Sequence, residues 1–576
     1  MSEGKMSVSI DFGTTFSGVA YGSSRIAGGS IQQILRWPGS SETFRKVPTC
    51  LLYDEEGIVR AWGLEANNTR VVPGYYKCEW FKLFLEPRTL RDESALDPRL
   101  PSLPVRKKPI DVIIDFLHHL WEYAKERITA EIGAVADLDS ADVLLTVPAA
   151  WDAKGCDMMR EAALVAGLVH SAHANDIYWR DRLRIITETE AAAIHCVHLT
   201  DLHKLKVGQT FMICDAGGGT VDLAVYKIIG DLQGLEIAEV CARSGANCGS
   251  LFLDLRFRAL VQTLLAEHPA HLDPPSLVSF MHEFSETDKL QFQGANDDGK
   301  LPNVMFNFNC FNVEDPDDPT VGLVNGELSI PGNLIRRQVF DPVVEEVLAL
   351  IEEQARRVKH RIDALLLVGG FSASNYLFHR VEEKFRSTIK VIARPDDADT
   401  ATVRGGAKYG LAQRPLVSSI IAPRAYMVKV KLPAEPEDLL KRPAYVVRNN
   451  AGMPSCENRL QYLVAKGAIL RKGQKIRTKF CKFSQTPQDR TFVATLYTSD
   501  SDEIMRYTDE AEATELCKWT VDLGVLPSFQ DNANILRPQG FYTDFELALE
   551  LDSAEVRGIL LYDGQEWVRA VFDFLS

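Results

Sequence analysis

Two stretches of alternating apolar and polar residues, one in each half of the first 413 positions, have the same layout. Residues 7–21 form an apolar run, a turn at 11–15 and a second apolar run. Residues 211–229 repeat this order, with the turn at 215–220. Alternation with a period of two, broken at a glycine-containing turn, is typical of a β-hairpin. The pattern therefore predicts two hairpins with polar tips.

The tips of the two hairpins have related sequences. Each contains an aspartate, glycine and threonine, and the letters are DFGTT at 11–15 and DAGGGT at 215–220. The two aspartates are about 200 residues apart, far beyond the roughly 20–50 residues of a solenoid repeat. This spacing predicts two homologous lobes, so that a ligand gripped by both tips lies in the cleft between them.

Helices and strands alternate around the hairpins, as an α/β fold requires. Apolar residues recur at helical spacing over 110–128 and again over 343–358. Residues 143–147 and 364–368 are short apolar runs. Because the second run is apolar throughout, it predicts a central, parallel strand with both faces buried.

Each of these two strands is followed by a polar residue that can start a helix. Asp152 follows the strand that Pro148 ends, and its helix is expected to end near Gly167. Ser374 follows the glycines that end the second strand and is the predicted cap of the next helix.

The character of the sequence changes towards the carboxyl end. Residues 296–320 are rich in Asn, Asp and Pro and predict an irregular surface excursion. After 413 the chain has short runs rich in Val, Tyr, Phe and Thr, which predict an all-β domain. These runs are 444–448, 460–464, 491–497, 545–549 and 567–572. The predicted domains are lobe I at 1–200, lobe II with a helical or irregular subdomain at 201–413, and a β-rich domain at 424–576.

Composition excludes several classes of function. The 576 residues are 46% hydrophobic and 25% charged, which is the balance of a soluble globular protein. With 64 basic and 79 acidic side chains the net charge is −15, which argues against a nucleic-acid partner. No run approaches the length of a membrane span, and the first ten residues lack the apolar core of a signal peptide. We therefore expect no membrane contact and a cytoplasmic protein, with the nucleus left open.

The eleven cysteines contain no CxxC pair, so the sequence predicts buried thiols rather than a zinc site or a disulfide framework.

The two polar tips carry the candidate chemistry. Successive glycines such as 217–219 expose backbone N–H groups that can surround a phosphate. Asp11 and Asp215 beside these turns can hold Mg2+ through water, as that ion prefers. Either turn alone is as well explained as an ordinary hairpin, but the pair predicts a shared site. The GxxxxGK[ST] motif is absent, so the pattern does not indicate a P-loop enzyme.

These motifs resemble the 70-kilodalton heat-shock chaperone family, and more closely its divergent members, the fungal-type and animal relatives. The resemblance runs through 7–21, 77–85, 143–168, 185–194, 211–226 and 365–411. It implies a two-lobed actin-like ATPase, with duplicated ribonuclease-H-like lobes, followed by a C-terminal all-β domain. That last domain resembles the family's peptide-binding sandwich without a helical lid, so a bound peptide is expected to exchange quickly.

The resemblance implies roles for individual residues around the phosphates and the metal. The β- and γ-phosphates would be held by Gly13, Thr14 and Thr15. The γ-phosphate would be closed in from the other lobe by Gly217, Gly218, Gly219, Thr220 and Gly249. Asp11 and Asp215 would position hydrated Mg2+.

The implied catalytic set is Lys82, Glu188, Asp215 and Thr220. Glu188 corresponds to the carboxylate that orders the metal and the attacking water, although Thr189 follows it where the family has proline. A helix-start glutamate is the alternative. Lys82 best matches the lysine that contacts the γ-phosphate; Lys77 and a simple surface lysine are alternatives.

The implied adenosine site is formed by Gly369, Gly370, Ser372 and Asp399. The basic residue that the family places just after these glycines is missing from 372–374. Glu286 and Lys289 have the Glu-x-x-Lys spacing that the family uses on the other side of the base. A solvated pair on one helix face explains that spacing equally well.

The predicted function is therefore an ATP-binding, ATP-hydrolysing chaperone-like protein in which the nucleotide state gates polypeptide binding. ATP or ADP, Mg2+, unfolded or extended polypeptides, and J-domain or nucleotide-exchange co-chaperones are the implied ligands and partners. An ATP-binding switch or scaffold with little turnover is the alternative, and a small-molecule kinase is a less favoured one. Residues 415–421 replace the family's interdomain linker, which leaves open whether the domains are coupled.

Overall fold

The structure of the chain is a computed structural model. It describes residues 5–26, 29–85, 103–104, 106–133, 136–171, 176, 179–197, 205–230, 236–294, 304–310, 315–412, 416–448, 452–535 and 540–574. The chain divides into two compact units. Unit 1 is Met1–Ile237 with Arg243–Leu416, and unit 2 is Ala238–Ala242 with Val417–Ser576.

The first sheet of unit 1 is built on the first hairpin. Met6–Asp11 pairs antiparallel with Phe16–Ser23, as predicted. Met6–Asp11 also pairs in parallel with Asp142–Val147, which pairs in parallel with Leu183–Thr187. Two short strands, Gln32–Gln33 and Val47–Pro48, pair with the outer hairpin strand. The central strands are buried, because apolar side chains on both faces of a parallel sheet must be covered.

The second sheet contains the second hairpin and has the same order of pairing. Thr210–Ala216 pairs antiparallel with Val221–Ile228. Thr210–Ala216 also pairs in parallel with Ala364–Val368, which pairs in parallel with Val391–Ala393. The strand predicted at 364–368 is confirmed as buried, central and parallel. Ser244–Ala246 adds to the outer hairpin strand.

Smaller sheets and helices complete unit 1. Its other strands are Cys50–Tyr53, Val59–Trp62, Tyr76–Glu79, Met305–Asn309, Leu323–Val324 and Glu327–Pro331, and Ile237–Glu239 spans the boundary between the units. Its α-helices are Gly63–Asn68, Pro109–Ile132, Ala153–Val165, Glu188–Cys196, Leu251–Leu264, Pro274–Glu283, Lys289–Gln291, Gly332–Ile335, Asp341–Arg357, Asn375–Phe385 and Ala401–Leu411. Short 3-10 turns are Phe81–Leu85, Trp179–Arg182, Pro269–His271, Gly370–Ala373 and Ala398–Thr400, and π turns are Phe284–Asp288 and Arg336–Phe340.

Local signals in the sequence account for several helix starts. Asp152 caps Ala153–Val165 by accepting a hydrogen bond from Gly155 N, 3.0 Å away. Ser374 caps Asn375–Phe385 by accepting one from Leu377 N, 3.3 Å away. Both predicted caps are confirmed.

Unit 2 consists mainly of antiparallel strands. They are Val417–Ile421, Ala425–Pro433, Val446–Arg448, Pro454–Val464, Ile469–Arg471, Lys475–Ser484, Thr491–Ser499, Thr514–Asp522, Phe541–Leu551, Val556–Tyr562 and Gln565–Asp573. Two short α-helices, Pro436–Lys441 and Pro527–Asn534, and two 3-10 turns, Pro443–Tyr445 and Leu523–Val525, interrupt them. Much of the segment interpreted as a linker is therefore a strand: Val417–Ile421 pairs antiparallel with Ile469–Arg471, while 413–415 lie outside the described residues.

Two other expectations need correction. The irregular segment expected at 296–320 contains the strand Met305–Asn309, which pairs antiparallel with Glu327–Pro331; 296–303 and 311–314 lie outside the described residues. The strand expected at 444–448 begins only at Val446, because a 3-10 turn precedes it.

The structure confirms the reading of the cysteines. Ten of the eleven are buried, Cys481 is exposed, and none forms a disulfide. Among the described helices, none is both long enough and apolar enough to cross a membrane.

Candidate functional site

The first turn, residues 12–15, lies at the end of a buried strand and is held by one threonine. Thr49 Oγ1 donates to Gly13 O at 2.9 Å, and Thr49 N donates to Thr15 O at 2.8 Å. A Cβ at Gly13 would lie 2.2 Å from Phe16 O, so only glycine allows the chain to turn this tightly.

The second turn, residues 217–220, is held by backbone hydrogen bonds from the start of the helix Leu251–Leu264 and the residues just before it. Backbone amides of Gly249, Ser250 and Leu251 donate to the carbonyls of Gly219, Gly217 and Gly218 at 3.1, 3.1 and 2.8 Å. A Cβ at Gly249 would lie 2.4 Å from Gly218 O. All three glycine carbonyls are thus engaged, whereas the amides of Gly218 and Gly219 have no partner among the described residues.

The two turns meet across the cleft between the sheets. A Cβ at Gly218 would lie 2.2 Å from Thr15 Oγ1, and one at Gly219 would lie 2.4 Å from Thr14 Oγ1. The approach of the opposite turn therefore leaves no room for a side chain at Gly218 or Gly219. The structure brings together the two tips that the sequence placed about 200 residues apart.

A buried ion pair lies beside the turns. Lys82 Nζ donates to Glu188 Oε1 and to Phe12 O, both at 2.7 Å. The Lys82 side chain is 3% exposed, and its ammonium lies 5.6 Å from the Phe12 ring centre and 5.7 Å from that of Trp151. The alternative, Lys77, instead donates to Asn67 O.

Different local structures position Glu188 and Lys82. Glu188 is the first residue of the helix that follows Leu183–Thr187, and Thr187 caps that helix. Lys82 lies in a 3-10 turn directly after Trp80, whose φ of 61° is unusual for a residue with a large side chain. Backbone strain of this kind persists only where the surrounding structure holds it.

Three aspartates lie around this pair. Asp11 Oδ2 accepts from Lys46 Nζ at 2.6 Å, and its Oδ1 accepts from Thr146 Oγ1 at 3.1 Å. Asp215 Oδ2 accepts from Thr402 Oγ1 at 3.1 Å. Asp222 Oδ1 accepts from Ala150 N at 3.0 Å, and its buried Oδ2 has no hydrogen-bond partner among the described residues.

Crowding of carboxylates in a buried site changes their acidity. Burial raises the pKa of Glu188, and Asp222, Asp215 and Asp11 add to the rise while Lys82 opposes it. Burial likewise raises the pKa of Asp215, with Asp11 and Asp222 adding to it. Burial also raises the pKa of Asp222. For Lys46, burial would lower the pKa, but the attraction of Asp11, Asp215 and Asp399 together with the hydrogen bond to Asp11 outweighs burial, and the pKa rises. The site therefore holds excess negative charge that a cation would relieve.

The residues present fit a hydrated magnesium ion. They supply aspartate and threonine oxygens, and the unpartnered, buried Oδ2 of Asp222 is the kind of atom that a bound cation or its water would satisfy. No three His, Cys, Asp or Glu side chains in the described part of the chain are grouped to chelate a metal directly. Mg2+ usually keeps several of its waters.

The predicted adenosine turn lies next to the segment carrying Asp399. Gly369 has a φ of 82°, and its amide donates to Ala398 O at 2.9 Å. Ser372 Oγ donates to Gly369 O at 2.6 Å. Asp399 Oδ1 accepts from Arg45 Nη1 at 2.8 Å. Space around Gly370 is open, since a Cβ there would meet no atom within 4 Å.

Glu286 and Lys289 do not form a pair with each other. Lys289 Nζ donates to Asp254 Oδ2 at 2.7 Å, and Asp254 lies on the helix that follows Gly249. Glu286 is exposed and lies in a π turn, which rotates it away from its usual i, i+3 relation.

Sequence reasoning missed four polar residues of the site: Lys46, Asp222, Arg394 and Thr402. Asp222 had a signal, because it is a charged residue at the start of the apolar strand Val221–Ile228, directly after the turn. Arg394 Nη1 donates to Ser372 O at 2.9 Å, which brings a guanidinium to the adenosine turn from a distant strand end. Lys46, Thr402 and Arg394 are brought in by tertiary folding and had no local signal.

Comparison with known proteins supports one family. The chain is 25% identical to heat shock 70 kDa protein 12B of Homo sapiens, over 99% of this chain and 91% of that protein. It is 23% identical to heat shock 70 kDa protein 12A of Mus musculus, over 87% of this chain and 82% of that protein. It is also 23% identical to the chaperone protein DnaK of Carsonella ruddii, over 72% of this chain and 65% of that protein.

No protein-family model matches the chain. The three relatives are mammalian and bacterial, so they lend no support to the fungal part of the resemblance. Two of them are named heat shock 70 kDa proteins and the third a chaperone protein, and their matches together cover almost all of the sequence. The chain is a divergent member of the 70-kilodalton heat-shock protein family.

Proposed function

We infer that unit 1 binds ATP with Mg2+ in the cleft between its two hairpin turns and hydrolyses the bond between the β- and γ-phosphates. One observation carries this inference: the turns 12–15 and 217–220 meet directly beside the buried Lys82–Glu188 pair. In both sheets the hairpin and two parallel strands pair in the same order, which supports a duplicated, actin-like arrangement of two lobes.

Each group in the cleft suits one part of phosphoryl transfer, which depends mainly on positioning and charge neutralisation. The free amides of Gly218 and Gly219 and the hydroxyls of Thr14 and Thr15 are hydrogen-bond donors for phosphate oxygens. Asp11, Asp215 and Asp222 would hold magnesium through its waters. When bound, the ion would shield the phosphate charge.

The buried ion pair suits the hydrolytic step. Lys82 carries a fixed positive charge that can stabilise a γ-phosphate oxygen. The raised pKa of Glu188 makes its carboxylate a better proton acceptor, so it can orient a water and take up a proton.

We extend the proposal to a chaperone-like role in which unit 2 binds extended polypeptides and the nucleotide state of unit 1 gates that binding. The name of the bacterial relative, chaperone protein DnaK, supports this role. Co-chaperones of the J-domain and nucleotide-exchange classes belong to the same proposal.

A nucleotide-dependent switch with little turnover is the second candidate. It is favoured by Asp11, whose two oxygens already accept hydrogen bonds from Lys46 and Thr146. A metal site engaged in this way would slow the chemical step more than it weakens binding.

Two measurements test the proposal. Calorimetry of the full chain with ATP and Mg2+ should show binding that Asp215→Ala weakens by about tenfold or more. Phosphate release under the same conditions separates the candidates, because a switch would bind ATP and release almost no phosphate. ATP binding that is unchanged in Asp215→Ala would exclude this cleft as the site.

A further inference from the structure

Lys46 is placed to act on the metal site. It directly precedes the strand Val47–Pro48, which pairs with the first hairpin, and its side chain passes over Gly18. A Cβ at Gly18 would lie 3.2 Å from Lys46 Cγ, so the glycine leaves room for the lysine stem. The Lys46 ammonium then meets Asp11 Oδ2 at 2.6 Å.

This ion pair is largely shielded from water. The side chains of Lys46 and Asp11 are 17% and 7% exposed. Most surface ion pairs contribute little because water and salt screen them, but a shielded pair at 2.6 Å is a strong, charge-assisted hydrogen bond. Asp215 and Asp399 are also close enough to attract Lys46.

The pair and one threonine leave neither oxygen of Asp11 without a donor. Thr146 donates to the oxygen that does not face Lys46, so each carboxylate oxygen already accepts one hydrogen bond, from an ammonium or from a hydroxyl. A magnesium-bound water that donates to the oxygen facing Lys46 must compete with the ammonium. Asp215 differs, because Thr402 is its one hydrogen-bond donor among the described residues.

The balance of charged side chains in the cleft also indicates that Lys46 acts on the metal site. The cleft contains four carboxylates, Asp11, Glu188, Asp215 and Asp222, and its two ammonium groups are each paired with one of them. Lys46 therefore neutralises, from within the chain, charge that a divalent ion would otherwise neutralise.

We propose that Lys46 is a resident cation of the nucleotide site, which competes with magnesium at Asp11 and partly replaces it in offsetting the charge of bound phosphates. The phosphate part rests on the proposed ATP binding, whereas the competition with metal does not. The dependence of ATP binding on magnesium should therefore be weaker in this chain than in a variant that lacks the Lys46 charge.

The test compares the affinity of the full chain for ATP in magnesium and in chelator. Lys46→Met keeps the length of the side chain and removes its charge. We expect the ratio of the two dissociation constants, chelator over magnesium, to be about tenfold or more larger in Lys46→Met than in the wild type. Lys46→Arg keeps the charge, and its ratio should stay close to the wild-type value.

Lys107→Met is the matched control. It removes the ammonium from another partly buried pair of unit 1, Lys107 with Asp115 at 2.6 Å, outside the cleft. Its ratio should equal that of the wild type. A ratio in Lys46→Met equal to that of the wild type would overturn the inference and leave ATP binding itself untouched.

A second measurement needs no nucleotide. Mn2+ titrated into the full chain and followed by electron paramagnetic resonance should bind more tightly to Lys46→Met than to the wild type. If no variant binds ATP, the proposed function fails, and this titration alone decides the role of Lys46: tighter Mn2+ binding supports it, and equal binding overturns it. Melting curves without ligand show whether each variant is folded.

Discussion

At the scale of single residues, the cleft concentrates charge that would be unfavourable without partners. Lys82 and Glu188 are both buried and satisfy each other at 2.7 Å. Removing one partner of such a pair commonly costs about 3–5 kcal/mol, because the other charge remains buried. These positions are held at a cost to stability, which is typical of groups that act on a ligand.

The first prediction concerns this pair. Glu188→Gln and Lys82→Met should keep ATP binding within a few fold and lower the rate of phosphate release about a hundredfold, since a well-placed charge contributes about 3 kcal/mol to the transition state. Single-turnover phosphate release with calorimetric binding measures both. Lys77→Met is the control, because Lys77 donates to Asn67 O. Loss of turnover in Lys77→Met with normal turnover in Lys82→Met would contradict the assignment.

The second prediction uses the acidity of Asp222. Its pKa is raised by burial, so the native protein binds a proton where the unfolded chain does not. That contribution to stability is present below the unfolded pKa of about 3.9 and is lost as the pH rises through the folded pKa. The side chain in Asp222→Asn is uncharged, so this variant does not lose stability through the burial of a charge.

In chelator and without nucleotide, Asp222→Asn should therefore melt above the wild type at pH 8, by about 2 °C or more. The difference should shrink as the pH falls towards the unfolded pKa. Calorimetric scans across this range measure it. A constant or opposite difference would mean that the carboxylate is not destabilising in the empty cleft.

At the scale of secondary structure, one helix contact positions Glu188, the carboxylate proposed to act in hydrolysis. The helix Ala401–Leu411 packs on Glu188–Cys196, whose first residue is Glu188. A Cβ at Gly405 would lie 1.7 Å from Ala191 O, and one at Gly406 would lie 2.2 Å from Ser9 Oγ. Glycine is therefore needed here for close packing, even though it weakens a helix.

The third prediction follows from this contact. Gly405→Ala should lower the free energy of unfolding of unit 1 by about 3 kcal/mol, because a backbone carbonyl cannot move aside as a side chain can. Turnover should fall with it, since Glu188 would shift. Denaturant unfolding of Gly405→Ala beside Arg404→Ala, a partly exposed change on the same helix, measures the effect. Equal or greater stability, the usual result of placing alanine in a helix, would show that the two helices can separate without cost.

At the scale of the whole molecule, the open question is whether nucleotide bound to unit 1 acts on unit 2. The segment expected to be a linker is largely a strand of unit 2, since Val417–Ile421 pairs with Ile469–Arg471. Ile421 N also donates to Glu239 Oε2 at 2.7 Å, so this strand is tied at its end. The segment expected to be a linker is therefore part of the fold of unit 2.

The fourth prediction tests that coupling in the full chain. A fluorescent, extended apolar peptide should bind with micromolar or weaker affinity, about −8 kcal/mol or less in magnitude. Its release should be faster with ATP than with ADP, and Lys82→Met should hold the fast-release state longer because it retains ATP. Stopped-flow measurement of off-rates detects this. Binding that is indifferent to nucleotide would exclude gating, and a lack of peptide binding would favour the switch.

Much of the architecture follows from the sequence itself. The hairpins at 7–21 and 211–229, the central strand at 364–368 and the caps Asp152 and Ser374 depend on periodicity and on local hydrogen bonds, which a single stretch of chain encodes. The strand Met305–Asn309 was missed because its short run lies among Asn, Asp and Pro, and its partner is about 20 residues away along the chain.

Only the tertiary structure determines which charged and polar groups of the cleft lie next to each other. The sequence determined that two Asp-containing turns exist, and their similarity predicted that they meet. The packing of separate elements determines three contacts that the sequence does not show. Lys46 pairs with Asp11, Thr402 donates to Asp215, and Arg394 donates to Ser372. Long-range contacts of this kind carry no local periodicity. Burial, which raises the pKa of Glu188, Asp215 and Asp222, likewise exists only once both sheets have closed around them.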